Sequence, residues 1–248
     1  MTITQASARR SAFAAGVLYL LTFAGSIAAA FLVEPLLANP SYVATAGDDT
    51  QLALGAIFEL VNILSCFGTA VAVFAVIRLE HEGLAIGFVA TRLFEAGVLA
   101  VGVVAVMSVI TVHQAAAISS DPIAFVPVGQ ALAATRHWSL IIGPGMAAFN
   151  ALMFGTALYR ARLVPRAIPA LGIVGAPLLI AFVAGTMLGV TGIGEPFQAI
   201  AVAPFFIWEL VIGLWMTFKG FDPKAPILAG SAGSTAPVAA LTTAAGAA

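Results

Sequence analysis

The chain has 248 residues, of which 61% are hydrophobic and only 8% charged, with a formal net charge of -1 and a mean hydropathy of +1.08. Soluble domains carry about 25% charged residues, so this chain lacks the polar material to clothe a soluble core. Its near-neutral balance also excludes the basic footprint of a nucleic-acid binder.

A bilayer core of about 30 Å takes about 20 apolar residues as a helix, and six runs reach that length. The first, Ser11–Val33, follows Arg9 and Arg10. Ala28-Ala29-Ala30 resembles a signal cleavage site, but the run is longer than a signal core and reads as a retained helix. Glu34 to Gln51 carries Pro35, Pro40, Gly47, Asp48 and Asp49, a loop of turn formers. The second run, Leu52–Arg78, holds Glu59, Asn62 and Cys66; the third, Leu84–Val112, holds Arg92 and Glu95. His113 to His137 reads as a long outer loop in which Gly129–Arg136 forms a short interfacial helix, anchored by Trp138 at headgroup level. The fourth run, Trp138–Tyr159, contains Pro144 and Asn150; the fifth, Ala167–Val190, contains Pro177; the sixth, Gln198–Phe218, contains Pro204 and Glu209. From Asp222 onward the chain is Ala, Gly, Ser, Thr and Pro with almost no charge. This predicts a six-helix transmembrane domain over residues 1–221 and a disordered cytoplasmic tail over 222–248.

Loop charges orient the spans. Arg9, Arg10, Arg78, Arg160, Arg162, Arg166, Lys219 and Lys224 share one side of a six-span chain; the other keeps Arg136 beside Glu34, Asp48, Asp49, Asp121 and Glu195. The positive-inside rule then puts both termini in the cytoplasm. An odd number of spans scatters the same charges. The fold class is therefore all-α, a polytopic bundle of six transmembrane helices whose partner is the lipid bilayer.

Charged residues inside spans are expensive, about 2.5–3.5 kcal/mol for an arginine at a helix centre, and so face one another or a wet cavity. Arg92 and Glu95 share a helix face, as do Glu59 and Asn62. With Glu209 and Asn150 they are the ligand-binding or proton-carrying candidates, expected as one polar cluster joining the second, third and sixth helices, with Glu59 toward the outer half and Arg92, Glu95 and Glu209 nearer the midplane. One cation against three acids leaves -2 if all are ionised, which marks a place where a proton or a ligand balances charge. Pro144, Pro177 and Pro204 free carbonyls in the last three helices, and freed carbonyls are tolerated where they line a cavity.

Other chemistries lack their residues. No lysine lies within a span apart from Lys219 at its end, there is no phosphate-cradling loop, and a single cysteine excludes an intrachain disulfide and any cysteine-cluster metal site. His113 and His137 with Asp121 offer the donors of a metal site or a general base but read as loop histidines; no metal and no cofactor are expected. Three readings of the cluster stay open. In the first it binds a small molecule in a proton-coupled carrier, Arg92 holding an anionic group while Glu95 and Glu209 exchange protons. In the second one of Glu59, Glu95 and Glu209 is a general acid acting on a lipid or isoprenoid. In the third the cluster glues helices together in an accessory or sensory subunit.

The run Arg92-Leu93-Phe94-Glu95-Ala96, the segment Leu158-Tyr159-Arg160-Ala161-Arg162-Leu163-Val164-Pro165-Arg166, and the ending Glu209-Leu210-Val211-Ile212-Gly213-Leu214-Trp215 through Lys219-Gly220 together resemble the DUF 4386 family of bacterial integral membrane proteins. The resemblance covers about Arg9 to Phe221. It implies a multi-pass protein of the bacterial plasma membrane, with Arg92, Glu95 and Glu209 on positions where the family carries those residue types, and it implies no activity.

Overall fold

The computed structural model describes residues 3–229, and the part of the expected tail from 230 to 248 lies outside the described residues. The described residues are helical apart from turns and short connections. Six candidate spans match the six apolar runs. They are α1 (Gln5–Leu37), α2 (Asp49–Ile77), α3 (Glu82–Ala117), α4 (Val126–Asn150) with its continuation, α6 (Ala167–Met187) and α7 (Pro196–Phe218). After α4 comes one π turn, Ala151–Gly155, and then the short α5 (Thr156–Ala161). A last turn, α8, covers Pro226–Ala229.

Caps set several boundaries. Thr4 accepts from the Ser7 N–H at the start of α1, Asp48 from the Gln51 N–H at the start of α2, and His81 Nδ1 from the Leu84 N–H at the start of α3. Each side-chain acceptor satisfies a donor that the first turn leaves free.

The helices run up and down in sequence, each beside the next, and α7 closes the ring against α1. Closure depends on small residues. A Cβ added at Gly16 would press on the Thr217 backbone nitrogen and stand 2.8 Å from the Gly213 carbonyl oxygen, so only glycine lets the two backbones approach this closely. At the same end, Arg9 donates to the carbonyl of Phe218 at 3.1 Å, which joins the beginning of α1 to the last turn of α7. Both termini of the helical domain thus lie at the end that carries most of the loop cations.

Two features of the outer end differ from the sequence reading. The interfacial helix expected over Gly129–Arg136 is instead the first part of α4 itself, and α3 continues to Ala117, so the expected long loop shrinks to a bend and one 3-10 turn, Pro122–Phe125. The reason is burial. Gly129, Arg136, Gly143 and Asn150 recur every seven residues and form one buried stripe of a single helix facing the bundle. At the other end, the first residues assigned to the tail are packed: the Asp222 N–H donates to the Leu163 carbonyl at 2.8 Å, and Ala225 and Leu228 are buried.

Buried apolar side chains form two clusters, one around Tyr19, Phe88, Phe154 and Trp208, the other around Val33, Leu52, Leu99 and Val106. On α3 the first ends with Phe88 and the second begins with Ala96. Arg92 and Glu95 occupy the interval, so the polar site sits at a seam between two apolar layers.

Candidate functional site

Helical spacing delivers Arg92 and Glu95 to the bundle interior on the same face of α3, and Arg92 Nη1 donates to Glu95 Oε2 at 3.0 Å. Across the ring, Arg92 Nη2 donates to Glu209 Oε1 of α7 at 3.2 Å. Asn150, at the last turn of α4 before the π turn, donates through Nδ2 to the same Glu95 oxygen at 2.6 Å. Below the guanidinium lie two aromatic rings, with Arg92 Cζ 4.7 Å from the centroid of Tyr19 and 5.7 Å from that of Phe88. A desolvated guanidinium over an aromatic face gains about 2 kcal/mol. Three helices and two rings therefore converge on one cation that is 1% exposed.

The single cluster expected from the sequence is in fact two. Glu59 does not join Arg92. Its Oε2 accepts from Arg136 Nη2 at 2.9 Å, and its Oε1 accepts from Asn62 Nδ2 at 2.9 Å. Arg136, assigned by its sequence position to the end of a short interfacial helix in the outer loop, is 1% exposed. Its Nε also reaches Glu34 Oε1 at 3.4 Å, the half-exposed acid near the end of α1. Gly102 of α3 makes the room, because a Cβ there would stand 3.2 Å from Arg136 Nη1 and collide with Ser139 Oγ.

Arg136 is the principal residue the sequence reading missed, and two signals pointed to it. Three buried acids with one buried arginine called for a second cation, and the seven-residue stripe of α4 runs straight through it. Cys66 links the halves: its thiol lies 3.8 Å from Asn62 Oδ1 and 3.7 Å from Arg92 Nη1. A polar chain so runs Glu34, Arg136, Glu59, Asn62, Cys66, Arg92, Glu95 and Asn150, with Glu209 branching from Arg92.

Thr22 and Ser26 of α1, Asn62, Arg92, Glu95, Pro144 and Glu209 border a cavity of about 170 Å³, walled also by Phe23, Leu99, Phe205 and Phe206. At about 30 Å³ per water in the liquid, this holds a handful of waters or one small molecule. Phe23 and Phe206 meet edge to face at 4.6 Å across the α1–α7 seam. Glu209 gives one oxygen to Arg92 and makes no other hydrogen bond to the described residues, and its side chain is 14% exposed against 8% for Glu95. Arg92 Nε and Asn150 Oδ1 are buried without a hydrogen-bond partner among the described residues. Buried polar atoms of this kind are normally completed by water or a ligand. The π turn that follows Asn150 and the proline at 144 break the regular ladder of α4 beside the cavity, a pattern recurrent at functional positions.

The outer histidine belongs to a separate arrangement. His113 Nδ1 lies 2.7 Å from Asp49 Oδ1 and its Nε2 2.9 Å from the Thr45 carbonyl. Both partners accept, so whichever ring nitrogen carries the proton donates to one of them. The Tyr42 hydroxyl donates to the same Asp49 oxygen at 3.3 Å, and burial, then Asp49 beside it, push this phenol up, so it stays a donor. His137 packs edge-on against Trp138. These contacts tie the α1–α2 loop to α3, and no group of three or more metal-ligating side chains occurs among the described residues.

Neither the curated proteins nor the solved structures include a match to this chain. Most of the first span, the other five spans, the buried Arg92–Glu95 pair and the Glu209 that joins it fall within residues 14–220, which match a family model, and the chain belongs to that family, described as a domain of unknown function (DUF4386).

Proposed function

We propose that the protein binds a small, positively charged molecule in the midplane cavity and carries it across the membrane in exchange for a proton at Glu209. The observation that carries this reading is the charge balance around Arg92. The arginine is engaged by Glu95 and Glu209 together, so one cation faces two acids and the group has a net charge of -1 when all are ionised. With both terminal nitrogens held by carboxylates, Arg92 is poorly placed to receive an anion, the role the sequence alone suggested for it. Glu209 supplies the deficit to be filled. It borders the cavity, is the more accessible acid, and keeps one oxygen free of partners among the described residues. A protonated amine and a proton each neutralise that carboxylate, and mutual exclusion at one carboxylate is the elementary requirement for exchange. The prolines at 144, 177 and 204 supply weakened points about which helices around the cavity can hinge.

The test is thermal stability of detergent-purified protein against a panel of small amines and small carboxylates, for the wild type and Glu209→Gln at two pH values. A ligand at about 100 times its dissociation constant stabilises by about 2.7 kcal/mol. The expected result is stabilisation of the wild type by an amine, stronger at the higher pH, and none in Glu209→Gln. Stabilisation by carboxylates alone, or a response that survives in the variant, refutes the reading. A variant that is merely less stable, beside a wild type that answers to nothing, assigns the cluster to helix association.

A further inference from the structure

We propose that a cavity at the basic end of the bundle holds the headgroup of an anionic phospholipid. This inference is independent of the midplane site. The cavity measures about 580 Å³ and lies between the α5–α6 connection and the end of α7. Arg162, Arg166 and Lys219 line it, against a single acid, Asp222, so its wall has a net charge of +2.

Those cations are uncommitted in a way their neighbours are not. Arg160 pairs with Glu80 at 3.2 Å, and Arg9 is taken up by the last carbonyls of α7. Arg162 and Lys219, both exposed, form no side-chain hydrogen bond or ion pair with the described residues, and Arg166 contacts the ring of Tyr159. The one acid is partly occupied, since Asp222 Oδ1 accepts from the Lys224 N–H at 2.8 Å. Arg166 is also the residue that precedes α6, and no side chain caps that helix, so its positive end adds to the field beside the cavity.

Backbone geometry gives a second, independent reason to assign Arg162 a task. Its φ is 54°, the sole left-handed non-glycine position among the described residues. That position terminates α5, where glycine is the conformation's natural occupant. An arginine there bears backbone strain that a glycine would remove, so the side chain serves something other than the turn.

The apolar side of the site argues for a lipid over a free phosphate. Trp215, half-buried, lines the same cavity, and indole rings settle at headgroup level. Next to it on α7, Leu214 and Phe218 are 40% and 70% exposed and offer a surface along which acyl chains can lie. A basic pocket at the end of a span, flanked by apolar helix surface, is the arrangement that recognises anionic headgroups.

The experiment is co-purification from mixed micelles containing equal phosphatidylglycerol and phosphatidylcholine, with retained lipid measured by native mass spectrometry. Each cation near an anionic membrane surface contributes about fivefold in affinity. The wild type should retain phosphatidylglycerol preferentially, and Arg162→Gly and Lys219→Gln should each lower that preference about fivefold. Arg162→Gly relieves the left-handed strain, so its loss of lipid is expected at unchanged or higher melting temperature, which separates binding from folding. Lys224→Gln, outside the cavity wall, should retain lipid like the wild type. Equal retention of the two lipids, or undiminished preference in both cavity variants, overturns the proposal. So does stabilisation of lipid-free protein by inorganic phosphate to the same extent as by phosphatidylglycerol, because it identifies a free anion as the ligand.

Discussion

Replacing Arg136 with methionine removes the cation that faces Glu59 while preserving most of its volume. Both side chains are 2% exposed, so Glu59 would stay buried with Asn62 as its remaining partner. Breaking a buried pair from one side costs about 3–5 kcal/mol, because the remaining charge is uncompensated. The destabilisation by Arg136→Met should therefore be about 3–4 kcal/mol. For a chain of this size that loss corresponds to about 6–16 °C in melting temperature. Adding Glu59→Gln to Arg136→Met removes the orphaned charge, and the double variant should recover about 2–3 kcal/mol relative to the sum of the single changes. Thermal unfolding in detergent for the four members of the cycle measures this. Neutral interhelical hydrogen bonds in membranes average about 0.6 kcal/mol. A coupling no larger than that would refute the assignment of Arg136–Glu59 as a buried pair on which the fold depends.

Gly16→Ala should lower stability by about 1–3 kcal/mol, because its methyl meets the backbone of α7 as well as the Thr217 hydroxyl, and the backbone has little room to yield. In contrast, Gly97→Ala, where a Cβ finds nothing within 4 Å, should be neutral or stabilising by up to about 1 kcal/mol through helix propensity; parallel melting curves compare them. Asp49→Ala removes the shared acceptor of His113, Tyr42 and Gln114, and limited proteolysis should then cut the 38–48 loop faster than in the wild type while the helical circular dichroism is retained. Trp208→Ala should cost about 3–5 kcal/mol, since this ring is fully buried and packs on the Gly172 surface of α6; a loss below 1 kcal/mol in the same melting assay would show that the α6–α7 contact tolerates a void.

Hydropathy and charge determined the class, the number of spans and their order in the membrane, because in lipid every backbone donor must be satisfied within its own helix and cations collect at one end. The pairing of Arg92 with Glu95 was equally legible, since three residues on a helix bring two side chains to one face. What no spacing rule supplies is which helices stand opposite one another. The ring α1–α2–α3–α4–α6–α7 put Glu209 on Arg92 and took Glu59 to Arg136, splitting one expected cluster into two. Arg136 was hidden by its neighbours: an Ala-rich, proline-led stretch with a charge reads as loop when only apolar length is counted. Its true place follows from a helix continuing beyond the apolar run, where a buried arginine is tolerated because Glu59 and Glu34 surround it. Tertiary packing alone decided that the midplane arginine is already shared by two acids, and this moved the expected ligand from an anion to a cation. Periodicity is a property of one helix, whereas charge compensation is a property of the bundle.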